Sequence, residues 1–397
     1  MSYGTDAIYL DHAATTPTDP TVVGSMLPFF GQQFGNPSSI YRAGQDARAA
    51  LDRARAQVAR VLECRLSEVI FTSGATESIG HALRGVAWAA RLKAPGGPAP
   101  HVITTTVEHH AVLHTADALE RQGFAVTRIG CDREGRVRAA DIEAAIRPET
   151  CLISVMYANN EIGTIEPVAD IGALAHERGV LLHTDAVQAA GVLPLNVDDL
   201  HVDLLSLSAH KFYGPKGVGV LYARKHTPLE WQQQGGGQES GRRGGTENVP
   251  LIVGMAEALT RAEAVRDQYN IFCAKLRDDL WAQIQERISG VSLNGPQPGT
   301  DRLPNNLNIS IEGVQGETVL LSLDMGGVAA SAGSACTTGN SEPSHVLLAC
   351  GLTEQEARAS IRLTVGRGNS EAEIGEAVDV LEDAVARVRT LASAGVV

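Results

Sequence analysis

No stretch of this 397-residue sequence runs to about 18 uncharged apolar residues, so no segment reads as a membrane-spanning helix. The opening Met1-Ser2-Tyr3-Gly4-Thr5-Asp6 lacks a basic stretch followed by an apolar one, the pattern of a secretory signal. Six cysteines (Cys64, Cys131, Cys151, Cys273, Cys336, Cys350) stand singly, with no close pair. That spacing argues against a disulfide framework and against a zinc site. The expectation is a cytoplasmic chain with reduced thiols and no resident metal. Basic charge is also scarce: 33 Lys and Arg face 46 Asp and Glu, for a formal net charge of −13. Nucleic acid is therefore not expected as a direct partner, although Arg242-Arg243 could form a local basic patch. No dinucleotide fingerprint is present, because Gly214, Gly217 and Gly219 do not open a helix.

What is present is the composition of an ordinary globular protein, 44% hydrophobic and 20% charged, long enough for two or three domains. Apolar runs alternate with helical patterns from about residue 40 to 225. Ser38-Ser39 are expected to cap a helix whose apolar positions recur at Ala43, Ala47, Leu51, Ala54, Val58 and Val61-Leu62. Seven buried-strand candidates follow: 69–72, 101–107, 125–129, 151–157, 180–184, 202–207 and 219–222. Continuous apolar strands separated by helices predict an α/β fold with a mostly parallel sheet covered on both faces. After the glycine-rich segment 232–247, helix is expected from about 253 to 288. The remainder reads as α+β, with strands near 308–311 and 361–365 and helices at 316–323 and 371–391. A domain boundary falls near residue 258.

In an open α/β sheet, ligands sit outside the carboxyl ends of the strands, and several polar groups fall there. Lys211 is delivered by Val202-Asp203-Leu204-Leu205-Ser206-Leu207 to a Gly/Pro turn. Low dielectric at such a site favours a neutral amine, able to condense with an aldehyde. Gly74-Ala75-Thr76 closes a strand and opens a helix, where free N–H groups suit a phosphate; a plain helix cap is the simpler alternative. Asp185, after Val180-Leu181-Leu182-His183-Thr184, needs a cation, and a protonated pyridine nitrogen is one. Gln188 is expected to reach the same place from a first helical turn. Asn159-Asn160 after the 151–157 run offers an amide, or merely turn chemistry. His109 could lie flat against an aromatic ring. Cys336, in Ser334-Ala335-Cys336-Thr337-Thr338-Gly339, has small neighbours that leave its sulfur accessible. Arg362, within Ser360-Ile361-Arg362-Leu363-Thr364-Val365, requires an anion and suits a carboxylate.

Together these residues resemble the cysteine desulfurases of the NifS/IscS type, in class V of the fold-type I pyridoxal-phosphate enzymes. The segments that carry the resemblance span nearly the whole chain. They are Tyr9-Leu10-Asp11-His12-Ala13-Ala14-Thr15-Thr16-Pro17, Phe34-Gly35-Asn36-Pro37-Ser38-Ser39, Phe71-Thr72-Ser73-Gly74-Ala75-Thr76-Glu77-Ser78, Glu108-His109, Asn159-Asn160-Glu161-Ile162-Gly163, His183-Thr184-Asp185-Ala186-Val187-Gln188, Ser208-Ala209-His210-Lys211, Gly244-Gly245-Thr246 and Ser334-Ala335-Cys336.

The resemblance implies a large domain over 17–258 with a mostly parallel seven-stranded sheet. It implies a smaller α+β domain from 1–16 and 259–397 that carries the Cys336 loop. It further implies pyridoxal 5′-phosphate as cofactor, held covalently by Lys211, which also moves protons. Asp185 would pair with the pyridine nitrogen, Gln188 and Asn160 would neighbour the phenolic oxygen, and His109 would stack on the ring and take part in catalysis. Ala75, Thr76, Ser208 and His210 would hold the phosphate, and Thr246 would reach it from the second subunit of a homodimer. Arg362, with Asn160, would bind the carboxylate of L-cysteine; Cys336 would take the sulfur as a persulfide and could touch an iron–sulfur cluster transiently. The sulfur acceptor would be an iron–sulfur scaffold protein or a tRNA-thiolation protein. The stretch from Cys336 to His345 matches the longer loop of the NifS/IscS branch. The alternatives are a class V aminotransferase in which Cys336 is incidental, a selenocysteine lyase, or an inactive sulfur-assembly scaffold.

Overall fold

The computed structural model describes residues 7–332 and 342–393. Strand β1 (Ile8–Tyr9) opens an N-terminal arm that leads to α1 (Pro20–Met26), capped by Asp19. Helix α2 (Arg42–Leu62) buries Ala47, Ala50, Leu51, Ala54, Val58 and Leu62 at three- and four-residue spacings and ends at Glu63 in the left-handed conformation. The expected Ser38-Ser39 cap is absent. Asn36 has already closed a turn on both serines, through its Oδ1 to Ser38 and its carbonyl to Ser39, so the helix starts beyond Tyr41.

The central sheet comprises β2 (Val69–Thr72), β3 (His101–Thr105), β4 (Ala125–Ile129), β5 (Thr150–Ser154), β6 (Leu181–Asp185), β7 (Leu204–Ser208) and β8 (Gly219–Ala223). Its order is β2-β8-β7-β6-β5-β3-β4, parallel from β7 to β4. Helices α3 (Ala75–Lys93), α4 (His110–Arg121), α5 (Ala139–Ala145) and α6 (Val168–Glu177) lie between the strands in sequence. Strand β8 runs antiparallel to both neighbours. Residues 209–218 are too few for a helical crossover, so the chain turns straight back. Two apolar faces explain why these strands read as continuous runs: Phe71, Ile103, Ile153, Leu182, Leu205 and Val220 pack on one side. Ile70, Val102, Leu152, Leu204 and Leu221 pack on the other. Truncating the fully buried Leu205 to alanine is expected to cost about 3 kcal/mol.

Helix α7 (Val249–Ala264) packs across α1 and α2, and Val265 separates it from α8 (Arg266–Arg287), so the helical stretch expected there is two helices. A second sheet follows, built from β9 (Val291–Leu293), β10 (Asn306–Ile311) and, later, β12 (Ser360–Thr364), with β10 central and antiparallel to both. Between them lie α9 (Gly316–Met325), β11 (Val328–Ala329), α10 (His345–Ala349) and α11 (Glu354–Arg358); α12 (Glu371–Ser393) ends the described chain. A separate apolar cluster joins this sheet to α8, α9 and α12 and takes in Ile8 and Leu10 from the arm. Val346, Leu347, Cys350 and Ala357 instead pack with the large sheet's core. Among the described residues no helix is long and apolar enough to cross a membrane.

Candidate active site

Strand β2 has the same direction as β3, β5, β6 and β7, because β8 reverses the chain on both of its sides. The carboxyl ends of these strands therefore open on one edge. There the segments after them surround a cavity of about 560 Å³. Ala75, Thr76, His109, Asn160, Asp185, Gln188, Ser208, His210, Lys211 and Arg362 all line it. Thr246 does not; it is exposed on the glycine-rich segment. Cys336 lies outside the described residues.

The floor of the site depends on close backbone approach. A side chain on Gly219 would meet the Leu207 carbonyl oxygen at 2.6 Å and the Gly74 backbone at 2.7 Å, and Gly74 itself has φ 152°. Glycine at both places lets the Ser73-Gly74 turn sit directly over β7 and β8. Helix α3 then begins without a side-chain cap on its first turn. Both the backbone N–H and the hydroxyl of Ser73 donate to Glu77. The free N–H groups near Ala75 and Thr76 are thus left for an anion at the cavity wall.

Lys211 ends a short turn after β7 and donates through Nζ to the carbonyl oxygens of Ala13 at 2.6 Å and Ala14 at 2.7 Å. Gln188 donates to the same Ala13 oxygen at 3.0 Å, from a turn rather than from the helix expected there. Asp185 is the last residue of β6 and is buried. Burial pushes its carboxyl up to about 6, against the opposing pull of the Val187 N–H and of Lys211. A carboxylate so placed is relieved by a cation such as a protonated ring nitrogen.

Neutral imidazoles surround these charges. His109 accepts from the Ala111 N–H through Nδ1 at 3.0 Å, which leaves the proton on Nε2. Burial, then Lys211, holds its pKa down to about 4. Burial and Lys211 likewise hold His210 to about 4; its Nδ1 is 3.1 Å from the Thr15 hydroxyl. Of the asparagine pair, Asn159 is structural: buried, it donates to the Val107 carbonyl and accepts from Glu161 and Ile162 N–H groups. Its turn presents Asn160 to the cavity.

Arg362, 1% exposed in β12, donates to the Asn160 carbonyl at 2.9 Å and pairs with Asp11 at 2.7 Å. Asp11, Ala13 and Ala14 are the functional neighbours that sequence reasoning missed, although all three lie in the quoted arm segment. The arm is itself held at the far end, where Thr16 bonds the His210 carbonyl and the Tyr213 N–H.

The uncapped α3 terminus, the buried Asp185 and the amine of Lys211 fit a phosphorylated pyridine aldehyde. The model of the aminotransferase class-V family matches residues 8–376, and the chain belongs to that family, whose cofactor is pyridoxal 5′-phosphate. Among curated relatives, the cysteine desulfurase IscS of Clostridium botulinum is 46% identical over 384 residues, 97% of this chain and 96% of that protein. The enzyme of the same name from Dictyoglomus turgidum is 47% identical at the same coverage. A solved NifS-like protein superposes with a TM-score of 0.89 at 36% identity, covering 96% of this chain and all of that one. A structure described as SspA in complex with cysteine gives 0.79 at 38% identity, covering 90% and 99%.

Proposed function

We propose that this chain is a cysteine desulfurase that converts L-cysteine to L-alanine and carries the released sulfur as a persulfide on Cys336. The observation that supports it is the meeting of Lys211, Asp185 and Arg362 on one cavity, in a chain 46% identical to a named cysteine desulfurase. When bound, the cofactor supplies an electron sink for the carbon next to the substrate amine. The chain's own groups hold and steer. Lys211 is assigned the covalent attachment and the movement of the substrate's α-proton. Asp185 is assigned the ring-nitrogen proton, Gln188 and Asn160 the phenolic edge, His109 the ring face, and the α3 terminus with Ser208 and His210 the phosphate. Arg362 and Asn160 receive the substrate carboxylate.

The same reading takes the chain as a cytoplasmic homodimer, divided into a large domain of 17–258 and a small one of 1–16 and 259–397. The separate apolar cluster that joins Ile8 and Leu10 to the second sheet and its helices supports the division, although Val346, Leu347, Cys350 and Ala357 pack on the large sheet's core. An exposed apolar stretch, with Leu27, Phe30, Phe34, Ile40 and Tyr41 each more than 60% exposed, supports a second copy as cover. Thr246, exposed on its loop, is assigned to the partner's phosphate site. An iron–sulfur scaffold or a tRNA-thiolation protein is proposed as the sulfur acceptor.

Purified chain loaded with pyridoxal 5′-phosphate is expected to give equal alanine and sulfide from L-cysteine in the presence of a thiol reductant. Transfer of the amino group to a keto acid with no sulfide would replace this reading by an aminotransferase.

A further inference from the structure

One pair of thiols has no role in the chemistry above. Cys131 lies just beyond β4, and Cys350 caps the end of α10. A tight turn opens directly after Cys131. The Asp132 N–H closes it on the Arg136 carbonyl oxygen at 3.0 Å, and the Gly135 N–H on the Asp132 carbonyl oxygen at 3.0 Å. The sulfur of Cys350 reaches this turn, since a side chain on Gly135 would stand 3.4 Å from it. The two thiols share a hydrogen bond, and both pack with the large sheet's apolar cluster. Cys131 is partly exposed and Cys350 is buried. A small solute can therefore meet the first sulfur with the second directly behind it.

We propose that Cys131 and Cys350 form a peroxide-sensitive dithiol, in which Cys131 attacks, Cys350 resolves, and a reversible disulfide closes between the end of α10 and the turn after β4. Cys131 loses its proton to water and, as thiolate, attacks one oxygen of a peroxide. The O–O bond breaks; Cys131 becomes a sulfenic acid, oxidised by two electrons, and the departing hydroxide takes up a proton as water. The Cys350 sulfur then attacks the Cys131 sulfur. The S–O bond breaks, the S–S bond forms, and the Cys350 proton leaves with the hydroxyl as a second water. Two thiols and one peroxide thus give one disulfide and two waters. A thiol reductant reverses the change by exchange.

The surroundings divide the two roles. The hydrogen bond from Cys350 holds the Cys131 thiol below its ordinary range, and the same bond, then burial, pushes Cys350 up. The thiolate is the nucleophile, so Cys131 is the attacking sulfur. Asp132 opposes that charge. Glu166 does not, because burial pushes its carboxyl up to about 8 and leaves it mostly uncharged at neutral pH. Burial also pushes Cys64 and Cys273 up to about 12 and Cys151 up to about 11, so these three described cysteines stay protonated. An S–S bond of about 2.05 Å is shorter than a hydrogen-bonded contact between sulfurs, so closure draws the end of α10 toward the turn. The first residue of that helix, His345, lines the cavity.

The test treats the cofactor-loaded chain with hydrogen peroxide, alkylates it with iodoacetamide after denaturation, and maps the peptides by mass spectrometry without reductant. A peptide joining Cys131 to Cys350 is expected, and dithiothreitol should split it. Cys350→Ala should halt at the first step, with a dimedone adduct on Cys131 about tenfold above that of the unaltered chain. Cys131→Ala should leave Cys350 a free thiol that is alkylated after peroxide. The visible cofactor band checks that both variants fold. Two alkylated thiols in the peroxide-treated chain, or Cys131 joined to a different cysteine, would overturn the pair. Neither readout requires turnover, so the outcome is independent of the desulfurase reading.

Discussion

Asp11 and Arg362 are 351 residues apart in sequence, yet Oδ1 of the first lies 2.7 Å from Nη2 of the second. The pair ties the N-terminal arm to β12 at the cavity wall. Removing one partner of a buried pair leaves the other charge uncompensated, at a cost of about 3 kcal/mol. Asp11→Ala is therefore expected to lower the free energy of unfolding by that amount, seen as a lower urea midpoint. Arg362→Lys keeps a charge but loses the fork, and is expected to raise KM for L-cysteine about tenfold or more with the cofactor still bound. Steady-state kinetics beside urea unfolding separates the two effects.

Asp185 gives a pH signature. Its carboxyl lies at about 6 in the fold against 3.8 for the ordinary side chain. Below pH 3.8 it is protonated in both states and costs nothing. As pH rises through 6, the folded state must hold a buried anion, and the cofactor-free chain loses about 3 kcal/mol from this group. Asp185→Asn should escape that loss, so thermal unfolding of the two cofactor-free chains is expected to diverge between pH 4 and 7 in favour of the variant. In the loaded chain the order should reverse, since only the acid can pair with the ring nitrogen.

Ile40 is 90% exposed within the apolar stretch assigned to a second copy. Ile40→Asp is expected to shift the chain toward monomer in analytical ultracentrifugation and to weaken cofactor retention, because Thr246 would no longer reach the partner's site. A variant that stays dimeric with full cofactor would reject the assignment of this surface.

Gly219 admits no side chain, given backbone atoms at 2.6 and 2.7 Å. Gly219→Ala is expected to push the Ser73-Gly74 turn off the sheet, costing about 2 kcal/mol or more and weakening phosphate binding. Equilibrium dialysis against pyridoxal 5′-phosphate should show reduced affinity, while Gly237→Ala, with open space around it, should not.

Cys336→Ser is expected to keep the bound cofactor and its visible band while abolishing sulfide release. Sulfide at the wild-type rate would remove the nucleophile assignment.

Most of the site was legible because its residues follow apolar strands: Asp185 after Val180 to Thr184 and Lys211 after Leu204 to Leu207 announce themselves by being costly to bury. Seven runs gave seven strands. The reversal of β8 was not read, since direction depends on the length of the connection rather than on composition. Nor was the break at Val265, which carries no glycine or proline. Strand β9 is only three residues, too short to show alternation. Asp11 escaped because nothing local to it signals an arginine from the other end of the chain. Gln188 lines the cavity, as expected, but from a turn rather than from a helix.

The arm from Ile8 to Thr16 has a practical consequence for anyone expressing this protein in pieces. Starting at residue 17, where the proposed large domain begins, would delete the strand that lies beside β11 and both carbonyls that face Lys211. Such a fragment would lack one wall of its own reaction chamber, so the first sixteen residues belong with any piece meant to bind the vitamin.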